Sequence, residues 1–163
     1  MPTSATAKPK VSSARAPAER IQADGFGKAR LARANALRED YVELIADLLA
    51  MAGEARPTDI ARRLGVSHAS VVKTIARLRR DGLVVGRPYR GVFLTTVGQA
   101  LAERVRRRHR IVVELLLAVG VPAEAAEADA EGMEHHVSGA TLRAFSQYLQ
   151  SREGQRKKAD IPF

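Results

Sequence analysis

The stretch Thr58-Asp-Ile-Ala-Arg-Arg-Leu-Gly-Val-Ser-His-Ala-Ser-Val-Val-Lys-Thr-Ile-Ala-Arg-Leu78 decides the fold. Two amphipathic runs flank Gly65-Val66-Ser67. The first, 57–64, carries Ile60, Ala61 and Leu64, and the second, 68–80, carries Val71, Val72, Ile75 and Leu78. Both spacings are helical, with the apolar residues expected inward. Ala61 is small where two helices must cross, Gly65 permits the tight turn, and Ser67 is placed to cap the second helix. Ser67, His68, Ala69, Ser70, Lys73, Thr74 and Arg77 are then left facing outward. In a helix-turn-helix the second helix presents its N-terminal residues to base edges in the major groove.

The flanking sequence completes a winged helix. Upstream, Tyr41, Leu44, Ile45, Leu48 and Leu49 predict a helix over about 28–52, stopped by Gly53. Downstream, Gly82 ends the second helix, and residues 83–94 change to two short strands around a turn. Arg87 and Arg90 sit at the tip of this wing. Thr96 and Gln99 have capping-box spacing at the start of a long helix to about 118, which Gly120 closes. Pro122 suits the first turn of a helix over 122–136, and Ser138 can cap a last one over 139–151. The fold class is mainly α: a winged helix-turn-helix domain over 26–95 and an all-helical domain over 96–151. A disordered basic arm is expected at 1–25 and a flexible tail at 152–163.

Composition agrees. The 163 residues include only 4% aromatics and no Trp, which suits an Ala/Leu/Val-packed helical protein. With no Cys, disulfides and thiolate zinc sites are excluded. No apolar run approaches the ~20 residues that span a bilayer, and the N-terminus has no signal-peptide block. A soluble, cytoplasmic protein is expected. The formal net charge of +9 points to an anionic partner, most often nucleic acid. Between Arg56 and Arg90, nine Lys/Arg stand against two Asp. Such charge supplies phosphate contacts, and hence affinity rather than sequence choice. Residues 1–38 hold eight Lys/Arg and two acids, a balance that could serve phosphate contacts or a solvated arm, and the second is the reading taken.

Against this background Pro122–Glu134 reverses sign, with five acids and no base. Carboxylates crowded in this way repel one another, and a bound cation relieves the repulsion. In Glu131-Gly132-Met133-Glu134-His135-His136 the residues Glu131, Glu134 and His135 share one face of a helix. Two carboxylates and an imidazole suit a hard or borderline divalent ion such as manganese or iron(II). A solvated acidic face has the same composition, and the hexapeptide alone does not choose. His136 lies about 100° from His135 around the helix and is left out of the site.

Glu39-Asp-Tyr-Val-Glu43, Arg108-His109 and Glu131-Gly-Met-Glu-His-His136, together with the wing Tyr89-Arg-Gly-Val-Phe-Leu-Thr95, resemble the manganese-responsive branch of the diphtheria toxin repressor family. The similarity covers about residues 36–150. The resemblance implies that 96–151 is a dimerisation and metal-binding domain. It also implies a site of two manganese ions per subunit, held by Asp40, Glu43, His109, Glu131, Glu134 and His135. Asp40, His109 and Glu131 would favour one ion and His135 the other. Glu43 and Glu134 would bridge, and the Glu131 carbonyl could also ligate. The iron-responsive branch uses sulfur ligands where this chain has Asp40 and Glu131, and a purely O and N donor set fits manganese. Activation by iron(II) stays open.

The expected function is a dimeric, manganese-activated transcriptional repressor of manganese uptake genes. Its partners would be a second copy of the chain and double-stranded operator DNA of palindromic sequence, with no membrane and no small-molecule substrate. A two-metal hydrolase is the alternative, since paired ions held by Asp, Glu and His also activate water. No nucleophile motif or phosphate-cradling loop supports an enzyme.

Overall fold

The computed structural model describes the backbone of residues 15–87 and 91–159. The elements run α1 (Arg15–Ala52), α2 (Pro57–Leu64), α3 (His68–Arg80), β1 (Val84–Arg87), β2 (Gly91–Leu94), α4 (Thr96–Ala118), α5 (Ala123–Met133) and α6 (Gly139–Ala159). The order and type are those read from the sequence, and the architecture is mainly α with one two-stranded antiparallel sheet. No described helix is long and apolar enough to cross a membrane.

Several ends differ from expectation. α1 begins at Arg15, so residues 15–25, expected as disordered arm, are helical. They are rich in Ala, Arg and Glu, which favour helix, and Pro17 sits in the first turn, where a missing N–H is tolerated. α6 likewise runs on to Ala159 through good helix formers. Residues 1–14 and 160–163 of the arm and tail lie outside the described residues. The cap of α4 is Thr95, not Thr96: its Oγ1 accepts from the Gly98 N–H at 3.0 Å and donates to the Gly82 carbonyl at 2.7 Å. α5 stops at Met133, leaving Glu134 as its C-cap and His135 in the following turn. Ser67 and Ser138 both cap as read, accepting from the N–H groups of Ser70 and Thr141. Val72, expected inward, is 48% exposed. Val71 and Val72 point about 100° apart, and Val71 shares the inward face with Leu78.

Two cores meet along α4. The larger joins Tyr41, Val42, Ile45 and Leu48 of α1 to Ile60, Val71 and Leu78, to Val84, Val92 and Leu94 of the hairpin, and to Leu101, Ala102 and Val105. The smaller joins Val112 and Val113 to Ala130, with Leu116, Val137 and Leu142 against them. The first half of α4 therefore packs with the helix-turn-helix and the second half with α5 and α6. The boundary expected near 95 falls at the start of a helix that both cores share.

The hairpin is fixed to this frame at two glycines. Gly91 has φ +81, and a Cβ there would lie 2.6 Å from the Ala55 carbonyl oxygen. That same oxygen accepts from the Val92 N–H at 2.9 Å. At Gly98, buried in the first turn of α4, a Cβ would lie 2.1 Å from the Leu83 carbonyl oxygen. Gly98→Ala is expected to push α4 off the wing and cost about 1–3 kcal/mol, the usual range for overpacking. A melting temperature equal to that of the unchanged protein would contradict this.

Candidate metal centre and nucleic-acid face

The acidic segment folds back so that α5 and the turn after it lie against α4 and α1. Glu134 closes α5, and its side chain is 1% exposed. Its Oε2 lies 2.9 Å from His109 Nδ1 on α4, and its Oε1 lies 3.6 Å from His135 Nε2. The same His135 nitrogen is 2.9 Å from Asp40 Oδ1 on α1. Glu131 Oε1 is 3.9 Å from His109 Nδ1. Glu43, one turn beyond Asp40 on α1, lines a cavity of about 550 Å³ with His109, Glu103, Arg106, Arg107 and Arg110. Five of the six expected ligands are thus joined by short contacts around Glu134, and Glu43 opens onto the cavity beside His109.

Two participants were missed as site residues. Glu39 Oε2 is 2.9 Å from His135 Nδ1 and also accepts from Arg108 of α4. Glu127 Oε2 is 3.0 Å from His109 Nε2. Glu39 and Arg108 lie inside the quoted motifs, so their positions were visible, but a ligand search passes over an Arg–Glu pair. Glu127 is one turn before Glu131 on α5, and that spacing could have flagged it. His136 is exposed, and its ring has no contact with this cluster among the described residues.

The hydrogen bonding of the cluster calls for a further proton or added positive charge. Each of His109 and His135 has both ring nitrogens within 3.0 Å of carboxylate oxygens. A neutral imidazole has one N–H, so one contact at each ring is met only by another proton or by positive charge. The carboxylates respond accordingly. Burial pushes Glu134 up to about 7, with the charges of Glu43 and Glu131 adding and those of His135 and His109 opposing. Burial likewise raises Asp40, helped by Glu131 and Glu39, and raises Glu43, helped by Asp47 and Glu131. For His109, burial is the largest influence and acts downward, but the hydrogen bond to Glu127 and the charges of Glu134 and Glu131 raise it overall. Burial would lift Glu39 too, yet the Arg108 and His135 hydrogen bonds hold it below the usual range.

Among the described residues, no three His or carboxylate side chains stand ready-made around one metal position. They are turned toward one another instead. The donor chemistry fits a divalent ion of the manganese type: carboxylate oxygens and imidazole nitrogens, with no thiolate in the chain.

The nucleic-acid face is exposed along α3. Ser67, His68, Ala69, Ser70, Lys73 and Arg77 are solvent-facing, and Thr74 is half-buried. Ser67 Oγ is engaged at the cap and also lies 2.9 Å from Ser70 Oγ, so these two hydroxyls stabilise the helix start. Arg87 pairs with Gly91 in the hairpin register, and Arg90 lies outside the described residues.

Two family descriptions match the chain. "Iron dependent repressor, N-terminal DNA binding domain" covers residues 36–92, and "Iron dependent repressor, metal binding and dimerisation domain" covers 95–163. The transcriptional regulator MntR of Escherichia coli O157:H7 is 51% identical over 132 residues, 81% of this chain and 85% of the relative. The HTH-type transcriptional regulator MntR of Bacillus subtilis strain 168 is 35% identical over 124 residues, 76% of this chain and 87% of the relative. The solved structure of the manganese regulator SloR superposes with a TM-score of 0.61 at 29% identity, covering 69% of this chain and 53% of that one.

In the metal-free protein the raised Glu134 gives a definite pH dependence. Its carboxyl is about 7 folded against 4.5 for an ordinary Glu in water, so the folded state binds more protons than the unfolded state between those values. Stability from this group is full below about 4.5 and is lost as pH rises through about 7. The apo melting temperature is expected to fall from pH 5 to pH 7.5, and Glu134→Gln should flatten that slope. An identical slope in the variant would show that Glu134 does not carry it.

Proposed function

The chain belongs to the iron-dependent repressor family, the family of the diphtheria toxin repressor, in its MntR branch, and on that premise we propose that it is a manganese-activated repressor of manganese uptake genes. It acts as a homodimer on a palindromic operator. Each subunit takes two manganese ions through Asp40, Glu43, His109, Glu131, Glu134 and His135. The observation that carries this reading is the buried carboxylate of Glu134, set between His109 on α4 and His135, which itself reaches Asp40 on α1.

Four carboxylates, Asp40, Glu43, Glu131 and Glu134, match the charge of two divalent ions. Bound manganese supplies positive charge where the apo cluster relies on shared protons. Asp40 and Glu43 belong to the helix that packs against the helix-turn-helix, whereas Glu131, Glu134 and His135 belong to α5 and the turn after it, beside the second core. Filling the site therefore sets α1 relative to α5 and fixes the separation of two recognition helices in the dimer. Palindromic half-sites need that separation to be about 34 Å, one duplex turn. A metal that prefers the DNA-competent arrangement shifts the population toward it, and operator DNA must tighten metal binding by the same factor. On the reading face Lys73 and Arg77 contact DNA together with His68, Ala69, Ser70 and Thr74, with Ser67 at the helix start. Arg87 and Arg90 contact phosphate from the wing. The protein works in the cytoplasm by binding, with no catalysed reaction.

Glu131 is exposed and offers the cleanest variant, since its loss leaves no buried charge. Glu131→Ala is expected to lower manganese affinity by at least about tenfold, the low end of the range even for outer-shell partners. Metal-dependent operator binding should vanish while the dimer persists. Calorimetry and gel shifts with manganese, iron(II), zinc and no metal check this; unchanged manganese-dependent binding would sink the assignment. The ligands must also lose protons to bind metal. Manganese affinity should therefore be weaker at pH 5.5 than at pH 7.5, and equal affinities would contradict the site.

A further inference from the structure

The first twenty residues of α1, Arg15–Ala34, precede the matched DNA-binding domain, which starts at residue 36. We propose that this helical extension is a second DNA-binding element, one that grips phosphates beside the recognition helix through its exposed Arg30 and Arg33. The proposal rests on the repressor reading above and adds a contact surface to it.

The placement follows from a cleft between α1 and α3. Ala34, Asn35 and Arg38 of α1 line it with Thr74 and Arg77 of α3 and with Asp81, the C-cap of that helix. Thr74 and Arg77 are also members of the outward DNA-reading face, so α1 borders that face here. Arg30, Ala34 and Arg38 follow one another at four-residue intervals, which puts Arg30 on the same side of the helix as the two cleft residues. Arg33 stands at three residues from Arg30, on the adjoining strip. Upstream the helix leaves the body of the protein: Leu31, Phe26 and Ile21 are 67%, 59% and 73% exposed. From Ala34 back to Arg15 it rises about 1.5 Å per residue, or about 28 Å, enough to follow a duplex over most of one turn.

The charge is available for this use. Arg30 and Arg33 are exposed and make no ion pair or hydrogen bond with any described residue. Arg38 is half-buried, and its Nε is a buried donor without a partner. Asp81 is the single acid lining the cleft. Between Lys28 and Arg38 the sequence has four bases and no acid. Two exposed guanidinium groups without acceptors among the described residues, beside a DNA-reading helix, match a phosphate backbone, which accepts from Arg in a bidentate fork. The exposed Ile21, Phe26 and Leu31 admit the competing reading of a contact between subunits, which the test separates.

The test uses full-length, manganese-loaded protein and a duplex selected by that protein from a random library, carrying at least ten base pairs of flank on each side. Anisotropy titrations over a range of potassium chloride concentrations compare the unchanged chain with Arg30→Gln/Arg33→Gln, and sedimentation reports the oligomer. Both residues are solvent-facing, so the variant folds. Its salt slope is expected to fall by about two per subunit, with about tenfold or more loss of affinity near 0.1 M salt. Shortening the flanks should weaken the unchanged chain more than the variant. Equal affinity and equal slope for the two proteins would overturn the proposal, as would a variant that loses affinity only because its dimer dissociates. Failure of the repressor reading looks different: the unchanged chain would then select no duplex in manganese, or would bind one equally well without metal.

Discussion

The structure turns on one buried carboxylate. Glu134 is an acid removed from water at the point where α1, α4 and α5 come together, with an imidazole on either side. An isolated buried charge is expensive, and a buried acid deprived of a partner commonly costs about 3–5 kcal/mol. The fold answers by raising the Glu134 carboxyl to about 7 and by pairing its neighbours with one another. The same oxygens and nitrogens are donors of the kind that suits a divalent cation.

The value of such an arrangement lies in where its members are attached. Arg38, Glu39 and Asp40 are consecutive on α1, yet they look in different directions. Arg38 lines the cleft against α3, whereas Glu39 and Asp40 meet the two nitrogens of His135 beyond α5. A turn of helix thus joins the reading face to the metal cluster with no flexible segment between them. α4 supplies the opposing member, because its N-terminal half is part of the core that holds the helix-turn-helix. The Arg108–Glu39 ion pair ties α4 to α1 beside His135. This pair needs no metal, so it can hold the two helices in register in the apo protein, leaving the cation to adjust an existing contact.

Much of this was legible in the sequence because the signals were redundant. The Ile60/Leu64 and Val71/Leu78 spacings, Gly65 and Ser67 all specify the same turn between two helices. The six ligand candidates were legible through three separated motifs, and five of them are drawn together by short contacts. What was not legible depends on tertiary partners. Thr95 outcompetes Thr96 as a cap because its hydroxyl can also reach the Gly82 carbonyl, thirteen residues away. Val72 and Val71 have the same composition and differ only in which side the core lies. Glu39 gained its role from Arg108, a partner sixty-nine positions distant.

The extension of α1 shows the same limit from the opposite side. Its charge was visible at once, and a basic, Pro- and Ser-containing stretch reads naturally as a solvated arm. What periodicity could not supply was continuity: once helical structure persists from Ala52 back to Arg15, the basic residues cease to be a diffuse cloud. Their positions are then fixed relative to α3 by a rigid rod, and charge that would have given only weak steering is held at a defined distance from the groove-reading face. Helix propensity in this segment therefore bears directly on the proposed phosphate contact. It converts the net charge of an arm into an oriented surface.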